Sequence, residues 1–201
     1  MRQQRSGPGL RAALLIIVSV FLFSACAVPR IIVLHDPLTP EEHDNLGRIY
    51  ESQGKSELAF EQYREALRQD KKHLPSLLLL GDLSYRMEKY DDAESAYEKA
   101  LDLDAKNADV MNNLAWVYIR TARKLDRAKA LVTEALTENP GHRPYYLDTL
   151  GVVLLKLGDA AGAVIALEES LDTLPKDRQD LLAEVQGHLA EARKAAGEET
   201  K

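Results

Sequence analysis

Residues 77–101 read LLLLGDLSYRMEKYDDAESAYEKAL, and the same skeleton occurs three more times in the chain. Here Leu77-x2-Leu80-Gly81-x2-Ser84 is followed by Ala93-x3-Tyr97-x2-Ala100-Leu101. Upstream, His43-x2-Leu46-Gly47-x2-Tyr50 is followed by Ala59-x3-Tyr63-x2-Ala66-Leu67. Downstream come Met111-x2-Leu114-Ala115-x2-Tyr118 with Ala128-x3-Val132-x2-Ala135-Leu136, then Leu147-x2-Leu150-Gly151-x2-Leu154 with Ala163-x3-Leu167-x2-Ser170-Leu171. The closing leucines Leu67, Leu101, Leu136 and Leu171 lie 34, 35 and 35 residues apart. A fixed period of this length marks one supersecondary unit used repeatedly.

Each copy carries two apolar stripes at i, i+3, i+4, i+7 spacing, which predicts two helices. A turn such as Gln53-Gly54-Lys55 or Leu157-Gly158-Asp159 separates them. Gly47, Gly81, Ala115 and Gly151, with Ala59, Ala93, Ala128 and Ala163, are small enough for the paired helices to approach closely. Tyr50, Tyr63, Tyr97 and Tyr118 are expected to fill the space between them. One such pair cannot bury its own apolar face, so neighbours must stack. Repeat three has one extra residue in its turn (Arg123-Lys124-Leu125-Asp126) and another lies at the junction Gly141-His142-Arg143. Such insertions are cheap in loop entropy.

The pattern resembles the tetratricopeptide repeat, and the resemblance covers residues 40–177. It implies an all-α solenoid of four helix-turn-helix repeats (40–73, 74–107, 108–143 and 144–177). The repeat-ending proline appears at Pro140 and Pro175, with Lys71 and Ala105 at the equivalent places. Residues 178–197 carry Leu181, Leu182, Val185 and Leu189 at helical spacing, with Glu184, Glu191, Arg193 and Lys194 outward. A helix apolar on one side and charged on the other closes a stack, so a C-terminal capping helix is expected there, followed by a frayed tail at 198–201.

The N-terminus belongs to another part of the design. Residues 1–25 hold Arg2, Arg5 and Arg11, no acid, and an uncharged apolar run from Ala12 to Ala25. This is the layout of a secretory signal. Phe23-Ser24-Ala25-Cys26-Ala27 resembles a bacterial lipobox, with Phe23 where leucine is usual. The resemblance implies cleavage before Cys26, lipidation of its thiol (diacylglyceryl, with palmitate-type chains) and a membrane-anchored product. Ala27 instead of aspartate implies the outer membrane, facing the periplasm, in a diderm host. An uncleaved anchor over residues 12–29 and an incidental thiol are the alternatives. Residues 26–39 form a spacer, in which Pro29 and Pro37 resist helix and Ile31–Leu34 is a short apolar run.

Composition removes other classes. The 201 residues are 45% hydrophobic with mean hydropathy −0.30, which excludes a disordered chain and a polytopic membrane protein. Three of the 26 basic residues and none of the 32 acidic ones precede Cys26, so the remainder carries −9. That argues against nucleic acid, whose phosphates require a basic face. One cysteine forms no internal disulfide. No phosphate loop, HExxH or nucleophile elbow is present, so no catalytic residue, metal site or cofactor is expected. His35, His43, His73, His142 and His188 are widely separated and are expected at the surface or at helix ends.

Binding is better motivated. At 100° per residue, positions 2, 5, 9, 12 and 13 of each first helix share an arc opposite the partner helix. In tetratricopeptide proteins that arc lines the concave groove where peptides bind. It contains Tyr85 and Arg86 in repeat two, Asn112, Trp116 and Arg120 in repeat three, and Tyr145, Asp148 and Lys156 in repeat four. Tyr85, Trp116 and Tyr145 offer amphipathic rings. Arg86, Arg120 and Lys156 form a basic row at position 13, and Asn112 is placed to bond a peptide backbone. Inter-repeat packing of Trp116, and a solvated helix end for the row, are the competing readings. Asp44 and Arg48 in repeat one argue against a chaperone-tail carboxylate clamp.

These features predict a non-enzymatic, membrane-tethered scaffold or adaptor that holds a protein or peptide partner and assists a cell-envelope assembly. Two alternatives stand beside it. One is an accessory subunit of an envelope peptidase or export system, since residues 35–43 look like linkers that join papain-like peptidase domains to such repeats. The other is a self-associating lipoprotein, in the simplest case a homodimer.

Overall fold

The computed structural model describes residues 36–197. The signal segment, Cys26, the spacer as far as residue 35 and the tail at 198–201 lie outside the described residues.

The described chain folds as α1 (Pro40–Ser52), α2 (Ser56–Gln69), α3 (Leu74–Arg86), α4 (Tyr90–Leu103), α5 (Ala108–Thr121), α6 (Leu125–Glu138), α7 (Arg143–Lys156), α8 (Ala160–Thr173) and α9 (Gln179–Ala196), with a 3-10 turn at Pro140–His142. No strand occurs among the described residues. Each helix packs on the next, and α1/α2, α3/α4, α5/α6 and α7/α8 form hairpins that stack in order. The fold is therefore an all-α repeat solenoid, closed at its C-terminal end by α9.

Local chemistry explains the ends of these helices. Thr39 caps α1 in a reciprocal box. The backbone N–H of Glu42 donates to Thr39 Oγ1 (3.2 Å), and that of Thr39 donates to Glu42 Oε2 (2.8 Å). Pro40 follows in the first turn, where a missing N–H costs nothing. Three residues link the helices of every hairpin, and one of them must turn through the left-handed region. Gly54 (φ 70°) and Gly158 (φ 85°) do so in repeats one and four, but Glu88 (φ 60°) does it in repeat two. In repeat three α5 has 14 residues where α1 and α3 have 13, and both Ala122 (φ 51°) and Lys124 (φ 50°) are left-handed. The inserted residue thus lengthens the first helix and tightens the turn instead of extending it.

The repeat signature is a packing rule. A Cβ on Gly47 would lie 2.3 Å from the Tyr63 ring, on Gly81 2.5 Å from the Tyr97 ring, and on Gly151 2.4 Å from Leu167. Tyr63, Tyr97 and Leu167 are fully buried by this approach. Repeat three has Ala115 at the glycine position and the smaller Val132 at the tyrosine position, and both are fully buried. A larger residue on one helix is balanced by a smaller one on the other, as close-packed interiors require. Tyr118 is likewise core, whereas Tyr50 is only half-buried, with the Lys55 ammonium 6.0 Å from its ring centroid.

Candidate functional site in the inner groove

The first helices of the hairpins line the inner face, and aspartates on them join each repeat to the next. Ser76 Oγ donates to Asp44 Oδ1 (2.6 Å), Asn113 Nδ2 to Asp82 Oδ1 (3.3 Å) and Tyr146 Oη to Asp109 Oδ1 (2.6 Å). Finally His188 Nδ1, on α9, donates to Asp148 Oδ1 (2.8 Å). Asp44 and Asp148 are buried by these contacts, and burial pushes the Asp44 carboxyl above the usual carboxylate range. The inner-face acids are thus first of all an inter-repeat fastening.

Beside Asp82 the surface opens into a pocket of about 390 Å³ lined by Asp82, Tyr85, Arg86, Tyr97, Asn113, Trp116 and Glu184. Tyr85 and Tyr90 meet edge to face with centroids 5.8 Å apart, which fixes one aromatic wall. Tyr97 Oη donates to Asp82 Oδ1 (2.6 Å), and burial followed by the Asp82 charge pushes its pKa up. Burial also raises the Tyr85 pKa, so both phenols stay neutral in the physiological range. The Arg86 guanidinium is drawn across the repeat boundary onto Glu51, which also accepts from Tyr63 Oη.

Trp116 divides this pocket from a second one. On its other side Tyr90, Ile119, Arg120, Val152, Leu155, Lys156, His188 and Glu191 line a space of about 310 Å³. The indole and the His188 imidazole are 6.2 Å apart between centroids. Arg120 Nε lies 3.4 Å from Tyr90 Oη.

The predicted groove residues accordingly separate into groups. Tyr85, Arg86 and Trp116 share the first pocket, and Trp116, Arg120 and Lys156 share the second. Tyr145 is not with them: it is half-buried against α9, where Arg178 donates to its hydroxyl and stacks 5.2 Å from its ring. Asp148, expected in an open groove, is 3% exposed and committed to His188. Asn112 points its Oδ1 into the packing, where it has no hydrogen-bond partner, and its neighbour Asn113 lines the pocket instead. The basic row exists as a sequence of positions, but Arg86 is ion-paired within the chain.

Two expectations from the sequence are corrected here. Histidines were expected at the surface or at helix ends. His43 is 2% exposed between α1 and α2, with Nδ1 2.8 Å from Gln62 Oε1 and Nε2 3.2 Å from Gln69 Nε2, and His188 is half-buried in the groove. Second, α9 does more than close the stack. It packs on α7 and α8 and carries Glu184, His188 and Glu191 back over the inner face as far as Trp116. Part of the expected groove is therefore filled by the chain itself. Contacts between residues more than 60 positions apart leave no local mark in the sequence, which is why Glu184 and His188 were not foreseen.

Among the described residues no cluster of three or more His, Cys, Asp or Glu could hold a metal ion, and no helix is long and apolar enough to cross a membrane. The molecule is, in class, a helical-hairpin solenoid with pockets along its inner surface.

Comparison with known proteins gives that class its name. The sequence profile of the tetratricopeptide repeat matches residues 43–73 and 78–143, so the chain carries tetratricopeptide repeats. Over 99 residues the chain is 36% identical to the human protein O-mannosyl-transferase TMTC3, a match covering 49% of this chain and 11% of that protein. Over 80 residues it is 35% identical to the peroxisomal targeting signal receptor of Komagataella phaffii, covering 40% of this chain and 14% of the receptor. The chain thus spans well under a fifth of these curated relatives. Among solved structures, MamA superposes with a TM-score of 0.63 at 21% identity, covering 79% of this chain and 88% of MamA. BtubC from P. vanneervenii superposes with a TM-score of 0.64 at 26% identity, covering 78% of this chain and 72% of BtubC.

Proposed function

We propose that this protein is a non-enzymatic scaffold, tethered to a membrane through Cys26, that holds a segment of a partner protein across Trp116 on its inner face and so assists a cell-envelope assembly. The observation that carries the binding part is the position of Trp116, half-buried between two open pockets that receive side chains from repeats two, three and four. A large ring at the centre of a concave surface, flanked by polar groups, has the composition of a binding hot spot. The fold supports the reading, since the stacked hairpins leave the inner surface open beside Trp116 although α9 covers its C-terminal part. So does the likeness to part of a protein named as a peroxisomal targeting signal receptor. The tether and the envelope setting rest on the basic, apolar, cysteine-terminated start of the sequence.

The test is affinity purification from membranes of the native host with the wild-type chain and with Trp116→Ala, followed by mass spectrometry. A protein that copurifies with wild type and is lost from a folded Trp116→Ala variant supports the reading. Identical sets of copurifying proteins for the two chains would refute it. Self-association competes with this reading, and sedimentation of the pure chain at low micromolar concentration would reveal a dimer directly.

A further inference from the structure

The pocket between repeats two and three has a charge that the sequence pattern did not suggest. We infer that it receives a cationic side chain, lysine or arginine, from the bound polypeptide. This rests on the groove reading above and specifies the chemistry of its partner.

Three observations converge. First, the pocket holds two carboxylates, Asp82 and Glu184, and neither has an ion-pair partner among the described residues. Asp82 uses one oxygen for both of its hydrogen bonds, from the neutral donors Tyr97 Oη and Asn113 Nδ2. Its Oδ2 has no partner among the described residues, whereas the buried Asp44 has Ser76 on Oδ1 and His73 on Oδ2. Second, the pocket's one cation is already spent: Arg86 pairs with Glu51 of the preceding repeat. Third, the walls are aromatic. The rings of Tyr85 and Trp116 line the pocket, and an ammonium or guanidinium gains from a ring face as well as from the carboxylates. Two carboxylates in a partly enclosed space repel one another, and an entering cation relieves that repulsion. An acidic guest would meet charges of its own sign and be repelled. The pocket therefore selects for charge, while the basic residues Arg120 and Lys156 lie on the far side of Trp116. The chain from Cys26 onward is itself acidic, which steers a basic segment toward it.

The experiment screens an array of short peptides of random sequence with the full chain, then measures the best binders in solution. Trp116 is the only tryptophan, so its fluorescence reports the pocket. Each binder is remade with its lysine or arginine replaced by norleucine or by glutamate, and is tested against wild type, Asp82→Asn and Glu184→Gln. Asparagine retains an oxygen for Tyr97 and Asn113, and Glu184 is exposed on α9, so both variants keep the fold.

Binders enriched in lysine or arginine are expected. Replacement of the basic residue should weaken binding about tenfold, each carboxylate variant several-fold, and added salt should weaken it further. Peptides that shift Trp116 emission without basic enrichment, or that ignore both variants, would overturn the cation pocket and leave the groove reading intact. If no peptide shifts Trp116 emission, both fall.

Discussion

The imidazole of His188 on α9 lies 6.2 Å from the indole of Trp116, two repeats upstream, while its Nδ1 donates 2.8 Å to the buried Asp148. The last helix is therefore latched to the inner face by a charge-assisted bond. The hydrogen bond to Asp148 is the main cause that holds the His188 pKa above its ordinary value of 6.5; burial opposes it, and the charges of Asp148, Glu184 and Glu191 add to it. A group whose folded-state pKa is raised stabilises most below its unfolded pKa and loses that contribution as pH rises through the folded value. Urea midpoints should therefore fall between about pH 6 and pH 8 by more in wild type than in His188→Gln. The variant should cost about 1 kcal/mol at the lower pH and less at the higher, a modest figure because the ring is partly solvated. Trp116 emission should rise over the same pH range, since a protonated imidazole quenches an adjacent indole. Parallel pH slopes in the two proteins would remove the latch.

Gly81 and Tyr97 test the packing rule. Gly81→Ala places a methyl 2.5 Å from a fully buried ring, and overpacking of this kind costs about 1–3 kcal/mol. Pairing it with Tyr97→Val copies the Ala115 and Val132 combination of repeat three. The double variant should be less destabilised than the sum of the two singles in a denaturant cycle. Strict additivity would mean that the two positions do not constrain each other.

Glu88 occupies a left-handed turn (φ 60°) where repeats one and four have glycine. Relief of that backbone strain outweighs the entropy glycine adds to the unfolded chain, because the unfavourable region costs about 1–2 kcal/mol for a residue with a Cβ. Glu88→Gly should accordingly raise stability by about 0.5–1 kcal/mol in thermal or urea unfolding. A loss of stability would show that the Glu88 side chain carries a compensating contact.

How much of this was legible follows from the range of the interactions. The hairpins were readable because Leu80, Gly81, Ala93 and Tyr97 meet within one repeat, and the same local constraint recurs four times. The placement of Trp116 toward the inner face followed from helical geometry alone. Asn112 lies on the arc that helical geometry assigns to the groove, yet its Oδ1 is buried in the packing and Asn113, 100° further round the helix, lines the pocket. The burial of Asp148 and the sealing of Tyr145 by Arg178 both depend on where α9 docks, which the sequence of repeat four does not encode. Repetition reveals what neighbouring repeats share, and the site is built from what they do not share: one tryptophan, an arginine turned onto Glu51, and two acids brought together from α3 and α9.

The tether makes the last prediction. If Cys26 carries the lipid, Cys26→Ser should abolish metabolic labelling by a fatty-acid analogue and leave either a larger, unprocessed form or a form released from the membrane. The physical reason is that each buried methylene contributes about 0.8 kcal/mol of membrane attachment, and more than one acyl chain is needed to make it durable. An uncharged run from Ala12 to Pro29 could hold the chain by itself, near the lower length limit for spanning a bilayer. The two anchors give opposite results. Retention of Cys26→Ser in the membrane with unchanged size on a gel would establish the uncleaved helix and remove the lipoprotein, whereas release with loss of label would leave the groove of repeats two and three facing a compartment outside the cytoplasm.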